Sequence, residues 1–232
     1  MELLYKIFLY GHIAAGTLTL LSGTVSLIRR KGDSKHHFIG NIFLYNMLAV
    51  GASAFFMAVY RPNLFLFMVG IFSTYLVSTG ARILYLKSLP GGHKPLVIDW
   101  LLSLAMFGFG LAFIISGIRN ILDGNYFGIT YFVFGSIGLT LVLQDIALYF
   151  GKIAKKNYWL YMLIYRIVAG NIAAFTAFLV VYITVLPALV AWLLPTVIGT
   201  ILISYYQTLY RRKAGKLTLP TASQAALSYK LK

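Results

Sequence analysis

The sequence predicts an all-α fold: an integral membrane bundle of seven transmembrane helices, with the N-terminus outside and the C-terminus in the cytoplasm. Three observations predict it. Of the 232 residues, 60% are hydrophobic and 11% charged, where a soluble domain carries about a quarter charged; mean hydropathy is +0.83. Apolar stretches of about 20 residues, enough to cross a bilayer core, recur seven times. Lys and Arg collect in the connections at one end. This composition excludes a soluble enzyme and a disordered chain, and the absence of cysteine excludes a disulfide scaffold and thiolate or iron–sulfur chemistry.

The first stretch, Lys6–Ile28, follows an opening MELLYK that lacks the basic region of a cleavable signal. It runs into a basic loop rather than a small-residue cleavage site, so it is expected to stay in the fold. The loop RRKGDSKHH leads to the second stretch, Phe38–Tyr60, and the turn RPN to the third, Leu64–Leu86. The fourth, Leu96–Ile118, follows KSLPGGHKP, with Pro95 where a first helical turn tolerates proline. The fifth, Phe127–Phe150, follows RNILDGNY, and the sixth, Trp159–Tyr182, follows GKIAKKNY. Pro187 breaks the chain before the seventh, Leu189–Leu209, which carries Pro195. Residues 1–210 thus form a transmembrane domain and 211–232 a short basic cytoplasmic tail.

Orientation follows from the loop charges, because cytoplasmic loops carry the excess of Lys and Arg. One side holds Arg29, Arg30, Lys31, Lys35, Lys87, Lys94, Lys152, Lys155, Lys156 and the tail residues Arg211, Arg212, Lys213, Lys216, Lys230 and Lys232. The other holds Lys6, Arg61 and Arg119. A bacterial-type inner membrane is the expected location. The net charge of +15 is spread over loops rather than gathered on one surface. It points to anionic lipid head groups, not nucleic acid. A homo-oligomer is compatible with this composition.

Most positions need only be apolar, so the informative residues are the polar ones inside the spans. Asp99, Asp145, Arg82 and Arg166 fall within predicted helices, where a charge costs at least about 2.5–3.5 kcal/mol. At about 1.5 Å per residue they lie roughly 6–10 Å from the cytoplasmic boundary. Two opposite-charge pairs across helices three to six are therefore expected. His37, Asn41, Asn46, Tyr85, Gln144, Tyr165 and Asn171 fall in the same layer, which suggests a polar cavity on the cytoplasmic side. The same residues read as packing pairs if they bind nothing, and Asp99 is also favoured by the dipole of a helix's first turn.

His36, His37 and His93 lie at the cytoplasmic boundary, while His12 sits about a turn and a half into the first helix from the opposite side. His12 therefore shares no metal with the others and is expected as a buried, hydrogen-bonded histidine. His36, His37 and His93, with Asp33, are the candidate ligands for a divalent metal, and His37 or His36 with His93 for a haem. No cofactor is needed to account for the rest of the sequence. No P-loop, G-x-S-x-G, H-E-x-x-H or dinucleotide fingerprint occurs, so an enzyme is not the expected function. The preferred function is binding or moving a small polar or ionic solute. Asp99 and Asp145 would be cation or proton acceptors, Arg82 and Arg166 their partners or anion clamps, and His37 a protonation gate. The alternatives are a haem- or metal-binding electron-transfer protein and a sensory or assembly subunit with a cytoplasmic partner.

Several motifs carry a resemblance. They are His12-Ile-Ala-Ala-Gly16, Leu21-Ser-Gly23, Arg30-Lys31-Gly32 and His37-Phe-Ile-Gly40, then Phe134-Gly135-Ser-Ile-Gly138 with Asp145, Thr176-Ala177-Phe178, and Trp192-Leu-Leu-Pro195-Thr196 before Gly199. Together they resemble an uncharacterised class of bacterial multi-pass membrane proteins, with an early histidine in helix one, a basic-Gly turn and a histidine opening helix two. The resemblance implies that His12 and His37 are positions to watch. That class often carries a histidine near the start of helix six, where this chain has Tyr161-Met-Leu-Ile-Tyr165.

Overall fold

The computed structural model describes residues 2–29, 32–89, 94–153, 157–182 and 185–217, with side chains up to residue 209. Its helices are α1 (Glu2–Ile28), α2 (Ser34–Tyr60), α3 (Leu64–Leu86), α4 (Val97–Leu122), α5 (Gly128–Tyr149), α6 (Tyr158–Tyr182) and α7 (Ala188–Leu217). All seven are long and apolar enough to span a membrane, α7 over Ala188–Leu209. They fall on the seven predicted stretches. Pro95 lies just outside α4, ahead of its N-cap Leu96, rather than in its first turn.

The helix ends follow local chemistry. Asp33 caps α2, its carboxylate accepting the His36 N–H at 2.6 Å, and Asn63 caps α3 by accepting from Leu66 N–H at 3.0 Å. Gly124 ends α4 and Gly151 ends α5, both at positive φ, the conformation glycine adopts without steric cost. Pro195 lies inside α7 and has no N–H to offer the Ala191 carbonyl, which interrupts the ladder there.

Helix α3 is the centre. Of its span 56% is buried, against 22% for α1, and it packs on α2, α4, α5 and α6. The hairpin α1–α2 lies on one side of the α3–α6 pair, the hairpin α4–α5 on the other, and α7 runs along α6 and touches α5. In the α4–α5 hairpin, a Cβ on Gly117 would sit 2.8 Å from the Gly128 carbonyl, and one on Gly135 2.8 Å from the Gly110 carbonyl. Small residues here let two backbones approach without hydrophobic drive from the solvent.

Two apolar clusters bracket a polar layer. Toward the α3 N-terminus, Phe65 meets Tyr131 at 4.7 Å, Trp192 at 4.8 Å and Phe127 at 5.1 Å between ring centroids, tilted or edge-on, as aromatic quadrupoles prefer. Toward its C-terminus, Ile83, Leu86, Leu148 and Tyr158 form a second cluster. Tyr158 Oη donates to the Leu86 carbonyl at 2.8 Å.

Candidate functional site

The polar layer is assembled by helical spacing. On α3, Tyr75, Thr79 and Arg82 follow at four and three residues. On α4, Ser103 comes four after Asp99, and on α5, Tyr149 comes four after Asp145. Side chains at this spacing share a helix face, so each acid brings a hydroxyl one turn along with it.

The two expected ion pairs form. Arg82 donates from Nε to Asp99 Oδ1 at 2.7 Å and from Nη2 to Oδ2 at 2.8 Å, joining α3 to α4. Asp99 Oδ2 also accepts the Leu96 N–H at 2.8 Å, so the carboxylate closes its own helix start. Its side chain is 1% exposed and that of Arg82 24%. Arg82 also lies 4.5 Å over the Tyr85 ring.

The second pair is deeper. Arg166 of α6 donates from Nη2 to Asp145 Oδ1 at 2.5 Å and from Nη1 to Oδ2 at 3.1 Å. Neither side chain is more than 1% exposed. Tyr75 Oη donates to Oδ2, Ser103 Oγ approaches Oδ2 at 3.4 Å, and Arg166 Nη2 also faces the Leu141 carbonyl at 3.4 Å. Removing such ions from water costs several kcal/mol each, and this set of donors is what offsets it. One atom is left over: Arg166 Nε is buried with no acceptor among the described residues.

Tyr149 joins the pairs. Its hydroxyl lies 3.2 Å from the Asp99 carbonyl and 3.1 Å from Ser103 Oγ. Tyr75, Ser103 and Tyr149 are the site residues that the sequence reading misses. The four-residue spacing from each acid is the signal that finds Ser103 and Tyr149, while Tyr75 stands seven residues before Arg82 on the same face of α3.

The remaining candidates lie apart from this network. His12 Nδ1 is 2.9 Å from Ser53 Oγ on α2, which makes it a hydrogen-bonded link in the α1–α2 hairpin. His37 is exposed, its ring 6.0 Å from that of His36. Asn46 donates to the Ile42 carbonyl of its own helix at 2.8 Å. Asn171 is buried against Gly23 of α1. Asn41 and Gln144 are on exposed faces.

A cleft of about 80 Å³ runs between α3, α5, α6 and α7, and its lining includes Phe72, Phe134, Tyr165, Thr176, Thr196 and Thr200 but none of the four charges. It lies beside the layer, with Tyr165 adjacent in sequence to Arg166. His93 lies outside the described residues. Among those described, no three His, Asp or Glu gather as a metal site.

Outside the spans, Asp33 accepts from Arg29 Nη2 at 3.0 Å. That bond, together with the one from His36 N–H, holds the Asp33 carboxyl below its ordinary value of 3.8.

No curated protein and no solved structure matches the chain. Residues 9–99, which run from α1 into the first turn of α4 and hold His12, His37, Arg82 and Asp99, match the model of the family described as "Predicted membrane protein (DUF2306)".

Proposed function

We propose that this multi-pass membrane protein binds and moves a small ionic solute, specifically an anion, at the charge layer between α3 and α6. Arg166 is the clamp, and Asp145 is the internal anion that holds its place. Arg82 and Asp99 form the outer pair on the route from the basic end. The loop charges orient that end toward the cytoplasm of a bacterial-type inner membrane, against anionic head groups. The C-terminus lies on that side and the N-terminus opposite.

The observation that carries this reading is Arg166. A guanidinium with five donors in a fixed fork suits a carboxylate or phosphate group. Here it is fully buried in a membrane span, its charge balanced by a single carboxylate, with Nε left unused. Intramembrane ionisable groups of this kind mark ion and substrate pathways. A solute anion takes Arg166 when Asp145 is neutralised, so the core never holds two negative charges against one positive.

The experiment is anion binding to detergent-purified protein, read by calorimetry with chloride, phosphate, acetate and succinate as probes. Wild type is expected to bind at least one of them, and more tightly at acid pH. Asp145→Asn, which frees Arg166, is expected to bind the same anion more tightly at neutral pH. Arg166→Met is expected to lose it. Equal affinities in all three proteins would overturn the reading.

A further inference from the structure

If Asp145 must be neutralised before Arg166 is free, a proton has to reach a carboxylate that is fully buried. We infer that Tyr149 and Ser103 form the proton route to Asp145, and that the solute anion is therefore co-bound with a proton. This rests on the reading of Arg166 as the anion clamp.

Tyr149 and Ser103 each own one hydroxyl hydrogen, and four oxygens can accept them: the Asp99 carbonyl, Asp145 Oδ2 and the two hydroxyl oxygens themselves. Tyr149 Oη faces both the Asp99 carbonyl and Ser103 Oγ, at 3.2 and 3.1 Å. Ser103 Oγ faces both Tyr149 Oη and Asp145 Oδ2, at 3.1 and 3.4 Å. Three arrangements satisfy the geometry: one has Tyr149 donating to the Asp99 carbonyl while Ser103 donates to Asp145, and the other two link the hydroxyls into a chain. In the first chain, Tyr149 donates to the Asp99 carbonyl and Ser103 donates back to Tyr149. In the second, Tyr149 donates to Ser103 and Ser103 to Asp145. A hydroxyl chain that can run in either direction is what proton relay requires.

Each acceptor has a distinct role. The Asp99 contact is to a backbone carbonyl, which does not titrate in the physiological range. The Asp99 carboxylate itself is filled by Arg82 and the Leu96 N–H. The carbonyl thus parks the Tyr149 proton without competing for it. Asp145, at the far end, is the carboxylate that the chain reaches among the described residues. The groups facing it are Tyr75 of α3, Ser103 of α4 and Arg166 of α6. Tyr149 stands one turn away on its own helix, and Arg82 and Asp99 lie beyond that.

The entrance is placed for exchange with water. Tyr149 is the last residue of α5 and half-buried, and its ring lies 4.9 Å from that of the exposed Trp100. In the transfer, a hydronium ion at the entrance, Tyr149 and Ser103 each lose one O–H bond, and Tyr149, Ser103 and Asp145 each gain one, the hydronium leaving as water. Both hydroxyls end chemically unchanged, one proton rests on Asp145 Oδ2, and the bond to that oxygen from Arg166 Nη1 weakens. The layer then carries one net positive charge, which the incoming anion neutralises.

The test follows the protonation of Asp145 in full-length protein reconstituted in phosphatidylcholine vesicles, by infrared spectroscopy after a jump to acid pH. The readout is the protonated-carboxyl band that Asp145→Asn removes. Ser103→Ala and Tyr149→Phe are expected to slow its appearance roughly tenfold, a loss of relay being a barrier change rather than an equilibrium one. Its final amplitude and midpoint should stay as in wild type, and Ser103→Thr, which keeps a hydroxyl, should restore the rate. An unchanged rate in Ser103→Ala and Tyr149→Phe overturns the route. So does a shifted midpoint at unchanged rate, which would mean that the hydroxyls only position the carboxylate. Absence of any Asp145 band overturns it as well. Anion binding that responds to Arg166 as described above, without such a band, would leave the clamp standing and remove the proton.

Discussion

Four ion pairs among the described residues form a graded series in burial, and the two extremes have different physical meanings. Arg166–Asp145 is 0% and 1% exposed, Arg82–Asp99 24% and 1%, Arg29–Asp33 34% and 40%, and Arg61–Glu2 62% and 57%. The bonds lengthen with exposure, from 2.5 and 2.7 Å in the two buried pairs to 3.0 and 3.3 Å in the exposed ones. The alternative available to each group when its partner leaves differs as well. Exposed groups return to water, whereas Arg166 has only hydrocarbon and backbone. The cost of a single substitution therefore rises with burial, and so does the capacity of the pair to hold a ligand in place of its partner.

The largest effect is expected at the buried end. Arg166→Met alone leaves the Asp145 carboxylate unpaired and should cost about 3–5 kcal/mol in unfolding in mild detergent. At Arg82→Ala, Asp99 keeps the Leu96 N–H and Arg82's place opens toward the surface. The loss there should be about 1 kcal/mol. If the two substitutions cost the same, burial does not govern the series.

The third pair is tested by pH. The folded-state value of Asp33 lies below 3.8. Its capping of α2 is therefore fully present above that pH and is lost as pH falls through the folded-state value. Unfolding followed from about pH 6 down to about pH 3 should show a slope at the acid end that Asp33→Asn removes. The smallest effect belongs to the most exposed pair, where Arg61→Ala should change stability by less than about 0.5 kcal/mol.

The fold was legible because membrane spans are written in composition and length. A twenty-residue apolar run has one economical structure, and the basic loops and Pro187 mark where each run stops. The two ion pairs were legible for the same reason: four charges inside apolar helices at matching depth have to find each other. Which acid would take which arginine was less visible, since all four share the layer. The structure pairs residues on helices adjacent in the chain, α3 with α4 and α5 with α6.

The uncharged part of the site was harder to read. Tyr75, Ser103 and Tyr149 are tolerable anywhere in a span, so nothing but their spacing from the charges distinguishes them. Conversely, Asn46, Gln144 and His37 lie in or beside the layer by depth but not by face. In helices apolar all round, periodicity does not separate the face toward α3 from the face toward lipid. Asn46 resolves its polarity on its own Ile42 carbonyl, a solution that depth alone does not reveal.

The central claim is that the Arg166–Asp145 pair serves binding rather than packing. The most direct measurement is anion-driven proton uptake into vesicles containing the neutral-pair variant Asp145→Asn/Arg166→Met, read with an internal pH dye and the same four anions. A buried pair replaced as a unit is often neutral for stability. The variant is therefore expected to unfold within about 1 kcal/mol of wild type and to show no anion-dependent uptake, where wild type shows it for at least one anion. A stable variant that takes up protons with the same anions at the wild-type rate would contradict the account.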